Sequence, residues 1–114
     1  MRFVVDFTPA AIDDLAGIVE YLTEKGASGP ARALVLKFRE RTDALAEFPR
    51  RGNIPREIEG LSAGEVRQIL VSPYRILYEI SGDRVFVHLI ADGRRDIRRL
   101  LPQRLIAARA RGEP

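Results

Sequence analysis

Val66-Arg67-Gln68-Ile69-Leu70-Val71-Ser72-Pro73-Tyr74-Arg75-Ile76-Leu77-Tyr78-Glu79-Ile80-Ser81-Gly82-Asp83-Arg84-Val85-Phe86-Val87-His88-Leu89-Ile90-Ala91 is the stretch that decides the fold. Three runs rich in Val, Ile, Leu, Tyr and Phe are separated by Ser72-Pro73 and by Ser81-Gly82-Asp83, residues that turn a chain rather than extend it. The runs predict strands over 66–71, 74–80 and 84–91, and connections this short make them an antiparallel meander.

Upstream the periodicity changes from two to three and four. Ile12, Leu15, Ala16, Val19 and Leu22 form one apolar face of a helix that Thr8 caps, Pro9 opens and Gly26 ends. Asp13 and Asp14 read as charges at the positive end of its dipole rather than as metal ligands. Gly17, inside that helix, costs about 1 kcal/mol relative to alanine and implies close helix packing. A second helix opens at Ser28-Gly29-Pro30, with Ser28 or Gly29 as cap. It buries Ala31, Leu34, Val35, Phe38, Thr42, Leu45 and Phe48 before Pro49 stops it. The short link forces the two helices into an antiparallel hairpin. Arg2 to Phe7, ahead of both, predicts one more strand.

Residues 49–65 hold two prolines and three glycines and predict a long surface loop, with Ile54, Ile58 and Leu61 available as pins. Beyond the meander, Ile97, Leu100, Leu101, Leu105 and Ile106 keep a helical spacing interrupted by Pro102. The expected fold class is α+β: an antiparallel sheet in β-α-α-β-β-β order, a helical hairpin packed on one face, and a short helical tail. The expected division is a single domain over 1–101 and a basic extension over 102–114.

Composition narrows the chemistry. The 114 residues are 46 % hydrophobic and 31 % charged and contain no cysteine and one histidine, which excludes disulfide scaffolds, zinc fingers and cysteine nucleophiles. Neither a signal peptide nor a membrane span is expected, and the expected location is the cytoplasm. The net charge of +3 is uneven: residues 94–111 carry seven arginines against Asp96 alone, a surface for an anionic partner. No G-x-S-x-G elbow, Walker motif or dinucleotide fingerprint is present. Arg67, Arg75, Arg84 and Arg95 come from different strands or strand ends, where they either converge on a phosphate or pair with Glu65, Glu79 and Asp96. His88, grouped by alternation with Phe86 and Ile90, reads as a sheet histidine first and a general acid or base second.

The element order, together with Phe48-Pro49-Arg50-Arg51-Gly52, Val66-Arg67 leading to Pro73-Tyr74-Arg75-Ile76-Leu77-Tyr78, and Gly93-Arg94-Arg95-Asp96-Ile97, resembles the ParE/RelE superfamily of bacterial toxins, and ParE more than RelE. The resemblance implies the toxin of a type II toxin-antitoxin pair, serving plasmid stabilisation. It implies a ParD-like antitoxin partner, bound in a heterotetramer or larger, and DNA gyrase as target, with no cofactor, no metal and no sequence-specific DNA binding by the toxin alone. Antitoxin contacts are expected at Leu15, Val19, Leu22, Leu34, Phe38, Arg94, Arg95, Arg98 and Arg99. The alternative is a RelE-like ribosome-dependent nuclease using Arg67, Arg75, His88 and Arg95. Val66, Gln68 and Leu101 stand where RelE-like nucleases have two lysines and a tyrosine, so that set is incomplete.

Overall fold

The computed structural model describes residues 2–58 and 64–112. Its elements are β1 (Val4–Phe7), α1 (Pro9–Glu24), α2 (Ser28–Asp43), β2 (Glu65–Val71), β3 (Tyr74–Ser81), β4 (Arg84–Asp92) and α3 (Ile97–Ala110). Short 3-10 turns at Ala44–Ala46, Pro49–Arg51 and Arg56–Ile58 lie in the connection from α2 to β2. The fold is α+β, as the element order implies.

The meander forms as expected, but the sheet is mixed rather than antiparallel. Its order is β1-β4-β3-β2, with β1 running parallel to β4 at one edge. Hairpin turns dictate the antiparallel pairing of β2, β3 and β4; no such turn constrains β1, which the helical hairpin separates from β2. At the other edge, Asn53 bridges to Gln68 and gives β2 part of a neighbour.

The two faces of the sheet carry separate cores. Ile69, Val71, Ile76, Tyr78, Ile80, Val85, Val87 and Ile90 pack with Ala11, Phe38 and Leu45 under the α1–α2 hairpin. Val66, Leu77, Leu89 and Ala91 pack with Ile58, Ile97, Leu101 and Leu105 under α3. The tail is thus a structural layer. α3 runs through Pro102 without a break, so the expected division at 101/102 falls inside a helix.

A bulge explains how β4 serves both faces. Leu77 lies opposite Leu89 while Tyr78 lies opposite Val87, which leaves His88 as the extra residue. Simple alternation groups Leu89 with Val87 and His88 with Ile90; the bulge resets the parity, so Leu89 turns to the α3 face and Ile90 to the hairpin face.

Local chemistry accounts for the helix ends. Thr8 Oγ1 accepts from the Ala11 N–H at 3.2 Å, as an N-cap threonine should. The cap of α2 is Ala27, with no side-chain bond, and not Ser28 or Gly29. The second helix ends at Asp43 instead of reaching Phe48, whose backbone (φ −128°, ψ 66°) lies outside the helical region that a following proline disfavours. Phe48 consequently stands 62 % exposed outside the core. Of the expected pins, Ile58 is buried, Ile54 is exposed, and Leu61 lies outside the described residues. Gly17 has no packing role: a Cβ there would meet nothing within 4 Å.

Candidate partner-binding interface

The outer surface of the hairpin is an open apolar groove. Phe7, Ile12, Leu15, Val35 and Phe38 line a depression of about 350 Å³, with Arg39 and Asp43 on its rim. Val19, Ala31, Val35 and Leu36 line a second of about 390 Å³, rimmed by Arg32. Val35 belongs to both, so the groove follows the seam between α1 and α2. Ile12 (56 %) and Leu36 (62 %) stand exposed along it, a large area of hydrocarbon in water on so small a protein.

Of the expected antitoxin contacts, Leu15, Val19, Leu22 and Leu34 are half-buried along this hairpin. Phe38 lies deeper than these. It is 1 % exposed and sits edge-on to Tyr74 at 5.9 Å, so it forms the floor of the groove and belongs to the core. Helical spacing assigns Ile12 to the buried face, whereas it stands exposed on the rim of the groove.

The expected arginines gather at the amino end of α3. Asp96 caps the helix, accepting from the Arg99 N–H at 3.3 Å. Arg94 is tied to Asp92 through its backbone N–H (2.9 Å) and its Nε (3.1 Å). Arg98 and Arg99 are exposed on the first turn, Arg99 at 3.9 Å from Asp96. Arg95 is exposed and has no ion pair among the described residues.

The nuclease candidates are not assembled. Arg67 lies opposite Tyr78 on the hairpin face, where it donates to the Gly52 carbonyl (2.8 Å) and pairs with Glu65 (3.2 Å). Arg75 points to the other face and grips Glu57 with two hydrogen bonds of 2.5 and 2.8 Å, its Nε donating to Gln68 at 2.7 Å. Those bonds hold the Glu57 carboxyl at about 2, well below the usual carboxylate range. Arg84 is paired with Asp6 at the β1 edge. His88 is fully buried, with Nε2 at 3.0 Å from Glu79 Oε1, while Glu79 Oε2 accepts from Arg109 at 2.7 Å. The four arginines do not converge on one phosphate; Arg67, Arg75 and Arg84 each have an internal carboxylate instead. Among the described residues no three His, Asp or Glu side chains come together as metal ligands, and no helix is long and apolar enough to cross a membrane.

Asp14 departs from the helix-dipole reading. It faces α3, not the helix end, and binds Arg104 through both oxygens.

A four-stranded sheet thus carries a helical hairpin with an open apolar groove on one face and a helix with a basic amino end on the other. The family model for the ParE toxin of type II toxin-antitoxin systems, parDE, matches residues 5–97, and the chain belongs to that family. Among solved structures, a chain of the chromosomal ParDE TA system from P. aeruginosa shares the fold at a TM-score of 0.65 and 17 % identity. The match covers 80 % of this chain and 96 % of that one. No curated protein sequence matches the chain.

Proposed function

We propose that this ParE-family chain arrests growth by inhibiting DNA gyrase in the cytoplasm. A ParD-like antitoxin neutralises it by laying an amphipathic segment into the α1–α2 groove. The observation that carries the antitoxin half is the groove itself, whose exposed Ile12 and Leu36 and half-buried Leu15, Val19 and Val35 need an apolar cover. Acidic residues flanking that segment meet Arg94, Arg95, Arg98 and Arg99, a charge match that speeds association and fixes orientation. The separation of Arg67, Arg75 and His88 weighs against the nuclease reading.

Expression of the chain alone and together with the antitoxin encoded beside it tests this. Growth arrest relieved by co-expression, with a stable heterotetramer or larger recovered from the same cells, is the expected result. Arrest that co-expression leaves untouched contradicts it.

A further inference from the structure

We propose that the cleft between α1 and the turn at residues 92–95 receives an extended segment of the antitoxin, with a carboxylate of that segment at Arg95, and that Gly17 is the notch admitting its main chain. This rests on the toxin-antitoxin reading above.

The argument starts from a residue with no internal reason to be what it is. Gly17 sits in the middle of α1, where glycine disfavours the helix relative to alanine. It has no positive φ to accommodate, and a Cβ at this position would touch nothing within 4 Å. Neither backbone conformation nor packing within the chain requires it. It does, however, line a cleft of about 420 Å³ on the flank of α1 opposite the apolar groove.

The walls of this cleft suit a peptide. Tyr21, 59 % exposed, and the half-buried Tyr74 provide ring surface on two elements. Of the five charged residues lining it, Asp14 is neutralised by Arg104, and Asp92 by Arg94. That leaves Arg95 on the turn without an ion pair among the described residues, and Asp13 exposed on the helix. Lys25, with Nζ at 5.6 Å from the Tyr21 ring, adds a further cation beyond Tyr21. The uncompensated charges therefore give direction: a carboxylate of the incoming segment belongs at Arg95, away from Asp13. A missing side chain at residue 17 lets a second backbone approach α1 there, as glycine does wherever chains come close.

Binding of the purified cognate antitoxin to the full chain and to Gly17→Ala, Gly17→Leu and Arg95→Gln tests the proposal. Alanine and leucine are both better helix formers than glycine, so these two variants keep the fold. Gly17→Ala is expected to raise Tm by about 4 °C and yet weaken binding about tenfold, with Gly17→Leu weakening it on the order of a hundredfold. Arg95→Gln loses about tenfold, and the loss shrinks in high salt. Unchanged antitoxin affinity in both Gly17 variants overturns the proposal while leaving the toxin-antitoxin reading intact. No complex with the unsubstituted chain overturns that reading itself. A self-association that Gly17→Leu abolishes, with antitoxin binding intact, overturns the assigned occupant in favour of a second copy.

Discussion

Arg104 and Asp14 join the two faces of the sheet. Two hydrogen bonds of 2.7 Å run from the Arg104 guanidinium on α3 to the Asp14 carboxylate on α1, around the edge of β4 where β1 has ended. The pair also serves backbone groups that no strand reaches. Arg104 Nη1 donates to the His88 carbonyl at 2.9 Å, and the Ile90 N–H donates to Asp14 Oδ2 at 3.0 Å. A side-chain clasp thus replaces the strand that β1 is too short to supply.

Arg104→Ala leaves Asp14 and the His88 carbonyl short of partners in a partly buried place. It is expected to cost about 2 kcal/mol, read from urea denaturation. Arg104→Lys recovers less than half of that, because a single ammonium cannot reproduce the bidentate fork. An Arg104→Ala chain as stable as the parent contradicts the clasp.

Tyr78 and Gly52 make a second coupled pair. The Tyr78 hydroxyl donates to the Pro49 carbonyl at 2.6 Å and accepts from the Gly52 N–H at 3.2 Å, and burial pushes its pKa up. A Cβ on residue 52 would stand 2.4 Å from the Gln68 carbonyl oxygen and 2.6 Å from that hydroxyl. Tyr78→Phe should lose about 1.5 kcal/mol by orphaning two backbone groups. Gly52→Ala should lose more, since backbone must move. Thermal denaturation of both variants checks the order.

Acid should release the Arg75–Glu57 clamp. The folded Glu57 carboxyl is held at about 2, below its unfolded value, so its contribution is complete above the unfolded pKa and is lost as pH falls from about 5 towards 2. The stabilisation at neutral pH is on the order of 2–3 kcal/mol. Stability curves of the parent and Glu57→Gln, separate at pH 7, are expected to converge near pH 2; parallel curves contradict the shift.

Arg75→Ala bears on the activity. If the chain acts by binding gyrase, growth arrest persists in this variant once its lower stability is compensated at reduced temperature. A nuclease leaning on Arg75 for a developing phosphate charge would lose at least about a hundredfold. Arrest halftime at matched soluble protein levels separates the two.

The legible parts of this molecule are those written in local chemistry. Thr8-Pro9 and Ser81-Gly82-Asp83 mark boundaries through backbone preferences that act within a few residues, and the observed strands agree with the sequence reading to within one or two residues. What stayed hidden depends on residues far apart. The bulge at His88 reverses which face Leu89 and Ile90 serve, and alternation alone has no means of announcing an extra residue. Likewise Asp14 looks like any acid near a helix start until Arg104, distant in sequence, arrives beside it. The hairpin was visible as a pair of apolar faces, but not which members of those faces lie uncovered. Phe38 lies at the floor and Ile12 at the surface, a difference set by tertiary packing that helical spacing does not encode.

The most direct test of the gyrase assignment is a supercoiling reaction with purified DNA gyrase, relaxed plasmid and this protein, followed for covalent cleavage complexes. The account predicts loss of supercoiling, accumulation of cleaved plasmid, and restoration of both by prior addition of the antitoxin. Undisturbed gyrase, alongside codon-specific cleavage of translated messenger RNA by the same preparation, would contradict it.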